Sequence, residues 1–222
     1  MKQDLTDITV VLDRSGSMQH IAADTIGGFN TFLKSQKEAP GQATFTLVQF
    51  DDQYEVVHDA KNIQDVPELD TTTFVPRGWT ALLDAIGRTI NTTGARLAAM
   101  DEADRPSKVI FVIITDGEEN RSAEFTDRSV IFAKIKEQTE VYSWEFVFLG
   151  ANQDAIHVGG MLGIDKSRSM TYAANSKGTG LAFAAAAKSM TAYRGLAAGA
   201  AAMESFFSED DRQAQTDAGA HS

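Results

Sequence analysis

Cysteine is missing from this 222-residue chain. That excludes disulfide cross-links, thiolate metal sites and a cysteine nucleophile, and it leaves the redox compartment open. Basic residues are scarce beside acidic ones, 20 against 31, for a formal net charge of −11. Nucleic-acid binding depends on cationic side chains that displace phosphate counterions, so this balance argues against it. It argues equally against docking on an anionic membrane surface. Long apolar runs are lacking too. The most apolar extended segment, Leu181 to Met203, is mostly alanine and carries Lys188 and Arg194, which predicts a buried helix and no membrane insertion. The N-terminus, "MKQDLTDITVVLD", has acids where an export signal needs an apolar stretch. The expectation is a cytoplasmic protein, with virion association as the other setting.

Histidine offers little chemistry. His58 and His157 have no metal-ligand spacing, and His221 lies near the C-terminus, so a histidine zinc site is not expected. His20 follows Ser17 by three residues, but no G-x-S-x-G elbow or third member accompanies the pair. A surface histidine on the first helix is the expectation.

What the chain does have is alternation. Leu5 to Leu12 contains "ITVVL" and Ser107 to Asn120 contains "VIFVIIT", apolar runs of the kind that strands buried on both faces show. "ATFTLVQF" and "QYEVVHDA" flank the turn residues Asp51 and Asp52, which predicts a hairpin with an antiparallel edge strand. Helical periodicity appears over Gln19–Lys37, Trp79–Met100, Thr126–Glu140, Asp154–Leu162 and Thr179–Phe207, with further strands at Val141–Gly150 and Arg168–Ala174. Strands alternating with helices predict a single doubly wound α/β domain with a Rossmann-like architecture. Its central, mostly parallel sheet would have six strands, one antiparallel edge strand and helices on both faces. The domain is expected over residues 1–207, with the polar, aperiodic 208–222 as a disordered tail.

The ends of the two most apolar strands carry the chemistry. The first leaves through "DRSGSM", placing Asp13, Ser15 and Ser17 on one turn, and the second ends at Asp116 in "VIITDGEEN". A helix cap needs only one such oxygen. In a doubly wound sheet these strand ends form the ligand crevice, and Thr80 in "GWTALLDA" opens a helix after the turn glycine Gly78. Two carboxylates and three hydroxyls on one rim make an all-oxygen set suited to a hard cation such as Mg²⁺. "DGEEN" lacks the alternation of a calcium-binding loop, so its acids read as a helix cap. The glycine pair Gly27-Gly28 reads as close helix packing, Trp79 as a buried wedge, and Arg14 as a solvent-facing loop residue.

"DRSGS", Thr80 and Asp116 resemble the metal-ion-dependent adhesion site of von Willebrand factor type A (vWA) domains. "TDGEEN", "FLGANQDA" and "TAYRGL" are similar to stand-alone bacterial and phage members. The resemblance implies that Ser15, Ser17 and Thr80 offer hydroxyls to the metal. Asp13 and Asp116 would bind it directly or through water. The ion would be Mg²⁺, with Mn²⁺ or Ca²⁺ as alternatives. The implied function is divalent-cation-dependent protein binding, in which the metal bridges to an Asp or Glu of a partner. It is not an enzyme on this reading, and a homo-oligomer is left open but not indicated. Two other readings stay open, an assembly scaffold in a virion or bacterial complex and a metal-dependent phosphohydrolase.

Overall fold

The β-branched run near the start of the chain lies in strand β1 (Lys2–Asp13), which is buried on both faces from Thr6 onward. The structure, a computed structural model, describes residues 1–151, 154–197 and 203–220. After β1 come α1 (Ala22–Glu38), the hairpin β2 (Gln42–Phe50) and β3 (Tyr54–Asn62), α2 (Leu82–Ala99) and β4 (Pro106–Thr115). The chain continues through α3 (Arg128–Tyr142), β5 (Glu145–Ala151), α4 (Ala155–Met161), β6 (Ser169–Tyr172), α5 (Ser176–Gly195) and α6 (Glu209–Thr216). The sheet order is β3-β2-β1-β4-β5-β6, with β3 antiparallel at the edge and every other pairing parallel.

This order places the site. From β1 the chain steps outward through β2 and β3, then returns to the other side of β1 as β4. The carboxyl ends of β1 and β4 therefore sit side by side where the winding direction reverses, the position at which doubly wound sheets leave a crevice.

Period-two alternation divides the core. Ile8, Val10 and Leu12 face α1 and α5, meeting Phe29, Phe32, Phe183 and Met190. Val11, Phe111 and Ile113 face the opposite layer, with Leu83, Ile86 and Ile90 of α2 and Ile131 and Ile135 of α3. Gly28 lets α1 and α5 approach closely, since a Cβ there would lie 2.3 Å from the Phe183 ring, whereas one on Gly27 would meet nothing within 4 Å. Gly28→Ala is expected to cost about 1–3 kcal/mol through overpacking. Gly27→Ala should gain up to about 1 kcal/mol by relieving the helix-interior glycine penalty. Urea unfolding of both variants checks the contrast, and equal shifts would contradict the packing argument.

Three expectations need correction. The stretch expected as a disordered tail, 208–222, is ordered over its described part, 208–220, where α6 occupies Glu209–Thr216. Ser208 and Asp211 form a reciprocal capping box. Buried Gln215 donates to Gly178 O at 2.9 Å and accepts from Ala173 N at 3.2 Å. Polar anchors of this kind leave no apolar periodicity to read. The final helix expected over Thr179–Phe207 is α5, which stops at Gly195, and residues 198–202 of that span lie outside the described residues, as does His221. The long helix expected from Trp79 begins at Leu82. Among the described residues no helix is long and apolar enough to cross a membrane.

Candidate metal centre

Asp13, the last residue of β1, is fully buried. Its Oδ1 accepts from Ser15 N at 2.6 Å and its Oδ2 accepts from the Thr115 hydroxyl at the end of β4. These bonds bend the chain into a 3₁₀ turn, Gly16–Ile21, which Met18 and Ile21 pin into the core. The turn leaves Ser17 exposed at the rim. The Ser15 and Ser17 hydroxyl oxygens lie 3.0 Å apart, and Ser17 Oγ donates to Asp116 Oδ1 at 2.6 Å.

Thr80 comes from the other side. Its amide donates to Asn120 Oδ1 at 3.0 Å, and its carbonyl accepts from the amides of Asn120 and Arg121. Its hydroxyl and that of Ser17 both border Gly117, where a Cβ would lie 3.0 Å from Thr80 Oγ1 and 3.3 Å from Ser17 Oγ. Asp13, Ser15, Ser17, Thr80 and Asp116 thus share one rim, with Asp13 at its floor and Ser17 outermost.

Charge is left uncompensated there. Burial pushes the Asp13 carboxyl up to about 7, against the hydrogen bonds from Thr115 and Ser15, and the neighbouring charge of Asp116 adds to the rise. Asp116 is also raised by burial, opposed by Ser17 and by His20. Among the described residues, no Lys or Arg is ion-paired with either acid. No group of three or more His, Cys, Asp or Glu side chains among them is placed to hold a metal. A site here would rest on two carboxylates and three hydroxyls. That donor set fits a hard divalent cation, which would supply the missing positive charge.

A model of the von Willebrand factor type A domain family matches residues 7–157. The chain belongs to this family. No curated protein matches it. Among solved structures, this vWA domain is similar to the vWF domain of the type V pili tip protein Mfa5 from Porphyromonas gingivalis. The two are 9% identical over 88% of this chain and 98% of that one, with a TM-score of 0.61. The pilus adhesin SpaC from Lactobacillus rhamnosus GG gives 15% identity, 86% and 30% coverage, and a TM-score of 0.60. Proximal thread matrix protein 1 from the mussel byssus, with a zinc-occupied MIDAS motif, gives 17% identity, 82% and 47% coverage, and a TM-score of 0.57. The chain spans less than half of the mussel protein's length. At these identities the likeness is one of fold.

Around the five rim positions the vWA domain holds a scaffold that its motifs do not announce. Arg14 does not face solvent. It is buried, and its Nε donates to Asp51 Oδ2 at 3.2 Å while Nη1 donates to Glu55 at 2.7 Å. Arg77 Nε reaches the same Asp51 oxygen at 2.7 Å. Asp51 therefore ties the Ser15 loop to the loop that carries Thr80, and Arg77 N→Arg14 O at 2.8 Å and Gly16 N→Gly78 O at 3.2 Å join their backbones. On the far side, Glu119 accepts from Leu83 N and Asp84 accepts from the amides of Ala123, Glu124 and Phe125. Of the acids after Asp116, Glu119 does cap a helix, but it is α2. Trp79, expected to be buried, is 62% exposed.

Proposed function

We propose that this vWA domain binds protein partners through a divalent cation held by Asp13, Ser15, Ser17, Thr80 and Asp116. The observation that carries the reading is the pair of desolvated carboxylates, without a Lys or Arg ion pair among the described residues, ringed by hydroxyls at the sheet's reversal point. Neutral hydroxyls leave the charge of a bound Mg²⁺, Mn²⁺ or Ca²⁺ incompletely neutralised, so that it attracts a carboxylate from a partner's Asp or Glu. The chain's own residues hold the site in shape: Thr115 and Ser15 N orient Asp13, and Asn120 fixes Thr80. The pilus and adhesin proteins among the structural neighbours support a role in protein interaction.

The geometry gives hydrolysis little support. His20 Nδ1 bonds the Ser17 carbonyl at 2.5 Å, while the Ser17 hydroxyl donates to Asp116, so His20 is not placed as its base. Arg14 and Arg77, the basic groups a phosphate would need, are both engaged by Asp51.

Isothermal titration of Mg²⁺ and Mn²⁺ into the wild type and Asp13→Ala tests the metal site. The variant should lose more than about 100-fold in affinity, since even outer-shell partners of a metal site contribute 10–100-fold. Equal affinity in both proteins, or binding in neither, would sink the proposal.

A further inference from the structure

We infer that the partner's metal-binding acid is accompanied, within two residues along its chain, by a bulky apolar side chain that packs on Trp79. This deepens the proposed cation-dependent reading of the site and rests on it. Scattered exposed hydrophobics are ordinary on protein surfaces. Trp79 differs in what carries it and in what it adjoins.

The loop that presents it is held along its length. Arg77 is fixed by Asp51 and by Arg14 O, Gly78 O accepts from Gly16 N, Thr80 N donates to Asn120, and Ala81 N donates to Asp51 O at 2.9 Å. Gly78 sits at φ +67°, in the left-handed region that favours glycine, so this turn of the loop is fixed by its backbone conformation. Such a loop fixes the backbone from which the indole projects. Residues on both sides of Trp79 are thus anchored while its side chain stands in solvent. Val75, half exposed on the same segment, adds apolar surface.

The adjoining residue is Thr80, buried and facing the oxygen ring. Consecutive Cα atoms are about 3.8 Å apart, so the indole begins one residue's span from a proposed ligand. A partner carboxylate at the cation would bring its own neighbouring side chains over Trp79. Tryptophan offers large area with little rotamer entropy to lose and is enriched among residues that dominate binding energy. A partner acid flanked only by polar residues would leave that surface wet.

A random dodecapeptide phage library panned on the whole protein in Mg²⁺, with elution by EDTA, supplies the probes. Recovered sequences are then synthesised and titrated by fluorescence polarisation against wild type, Trp79→Ala, Trp79→Phe and Asp13→Ala. The expected peptides carry Asp or Glu with an aromatic or branched aliphatic residue within two positions. Trp79→Ala should weaken them on the order of 10- to 100-fold, Trp79→Phe should retain most of the affinity, and calorimetric Mg²⁺ affinity should be the same in both as in wild type. EDTA-sensitive peptides that lack the apolar neighbour, or that bind Trp79→Ala as they bind wild type, overturn the inference and leave the cation reading standing. No Mg²⁺-dependent clone, or peptides that bind Asp13→Ala unchanged, overturns the cation reading itself.

Discussion

Magnesium is expected to raise the melting temperature of this protein, and by more at pH 8 than at pH 5.5. The sign follows from Asp13. Its carboxyl in the folded, metal-free chain is raised from 3.8 to about 7 by burial. A carboxyl raised on folding contributes stability that is fully present below its unfolded value and is lost as pH climbs through the folded one. Metal-free stability should therefore decline between about pH 4 and 7, by at most roughly 1.4 kcal/mol per pH unit for this group. Asp116, also raised, acts in the same sense. A cation held by these acids favours their ionised form and reverses the slope. At a Mg²⁺ concentration 100 times Kd the gain is about 2.7 kcal/mol, or roughly 5–10 °C for a domain of this size.

Asp13→Asn separates this effect from the background. The Thr115 hydroxyl also lies 3.1 Å from both the carbonyl and the amide of Gly117, so it can turn its proton away and accept from the new amide. The variant should keep its fold, lose the Mg²⁺-dependent shift and show a flatter metal-free profile from pH 5 to 8. Glu145, raised by burial beside Arg168, gives a slope that Mg²⁺ does not touch. Asp70, lowered to about 2 by its bonds with Thr72 and Thr73, and Asp127 and Asp165, also lowered, act only as pH falls below about 4. Differential scanning fluorimetry at several pH values, with Mg²⁺ and with EDTA, reads all of this. A Mg²⁺ shift that is independent of pH, or that survives Asp13→Asn, would contradict the assignment.

The second large effect is expected at Asp51, which no motif marks. Asp51→Asn would place an amide donor or a weaker acceptor against two guanidinium groups. Arg14 would then stay buried with only Glu55 and Gln49, and its Nη2 already lacks a partner. Removing one member of a buried charge pair typically costs about 3–5 kcal/mol. The remaining partners of Arg14 place the expected value near the lower end. Exposed Lys136–Glu140, at 3.8 Å, is the control, and its loss should change stability by less than about 0.5 kcal/mol. Because Asp51 joins the Ser15 and Thr80 loops, apparent Mg²⁺ affinity should fall about 10- to 100-fold as well. Urea unfolding and calorimetry measure the two effects separately. A destabilisation under about 1 kcal/mol with unchanged metal affinity would remove Asp51 from the account.

These two residues mark what each level of description contains. The strand positions, the edge hairpin, the parallel sheet and the family are legible in the residues alone, because apolar runs and turn chemistry act over a few positions. Asp13, Ser15 and Ser17 are legible as a group for the same reason, since they share one turn. Thr80 and Asp116 join them only through the order of strands. The burial of Arg14, the exposure of Trp79, the role of Asp51 and the helix α6 were decided by tertiary contacts. Arg14 meets Asp51 across 37 residues of chain, and Glu119 reaches Leu83 across 36. A polar side chain carries the same letter whether it ends in water or on a distant partner. Only the packed fold, which brings that partner within about 3 Å and removes the competing water, determines which.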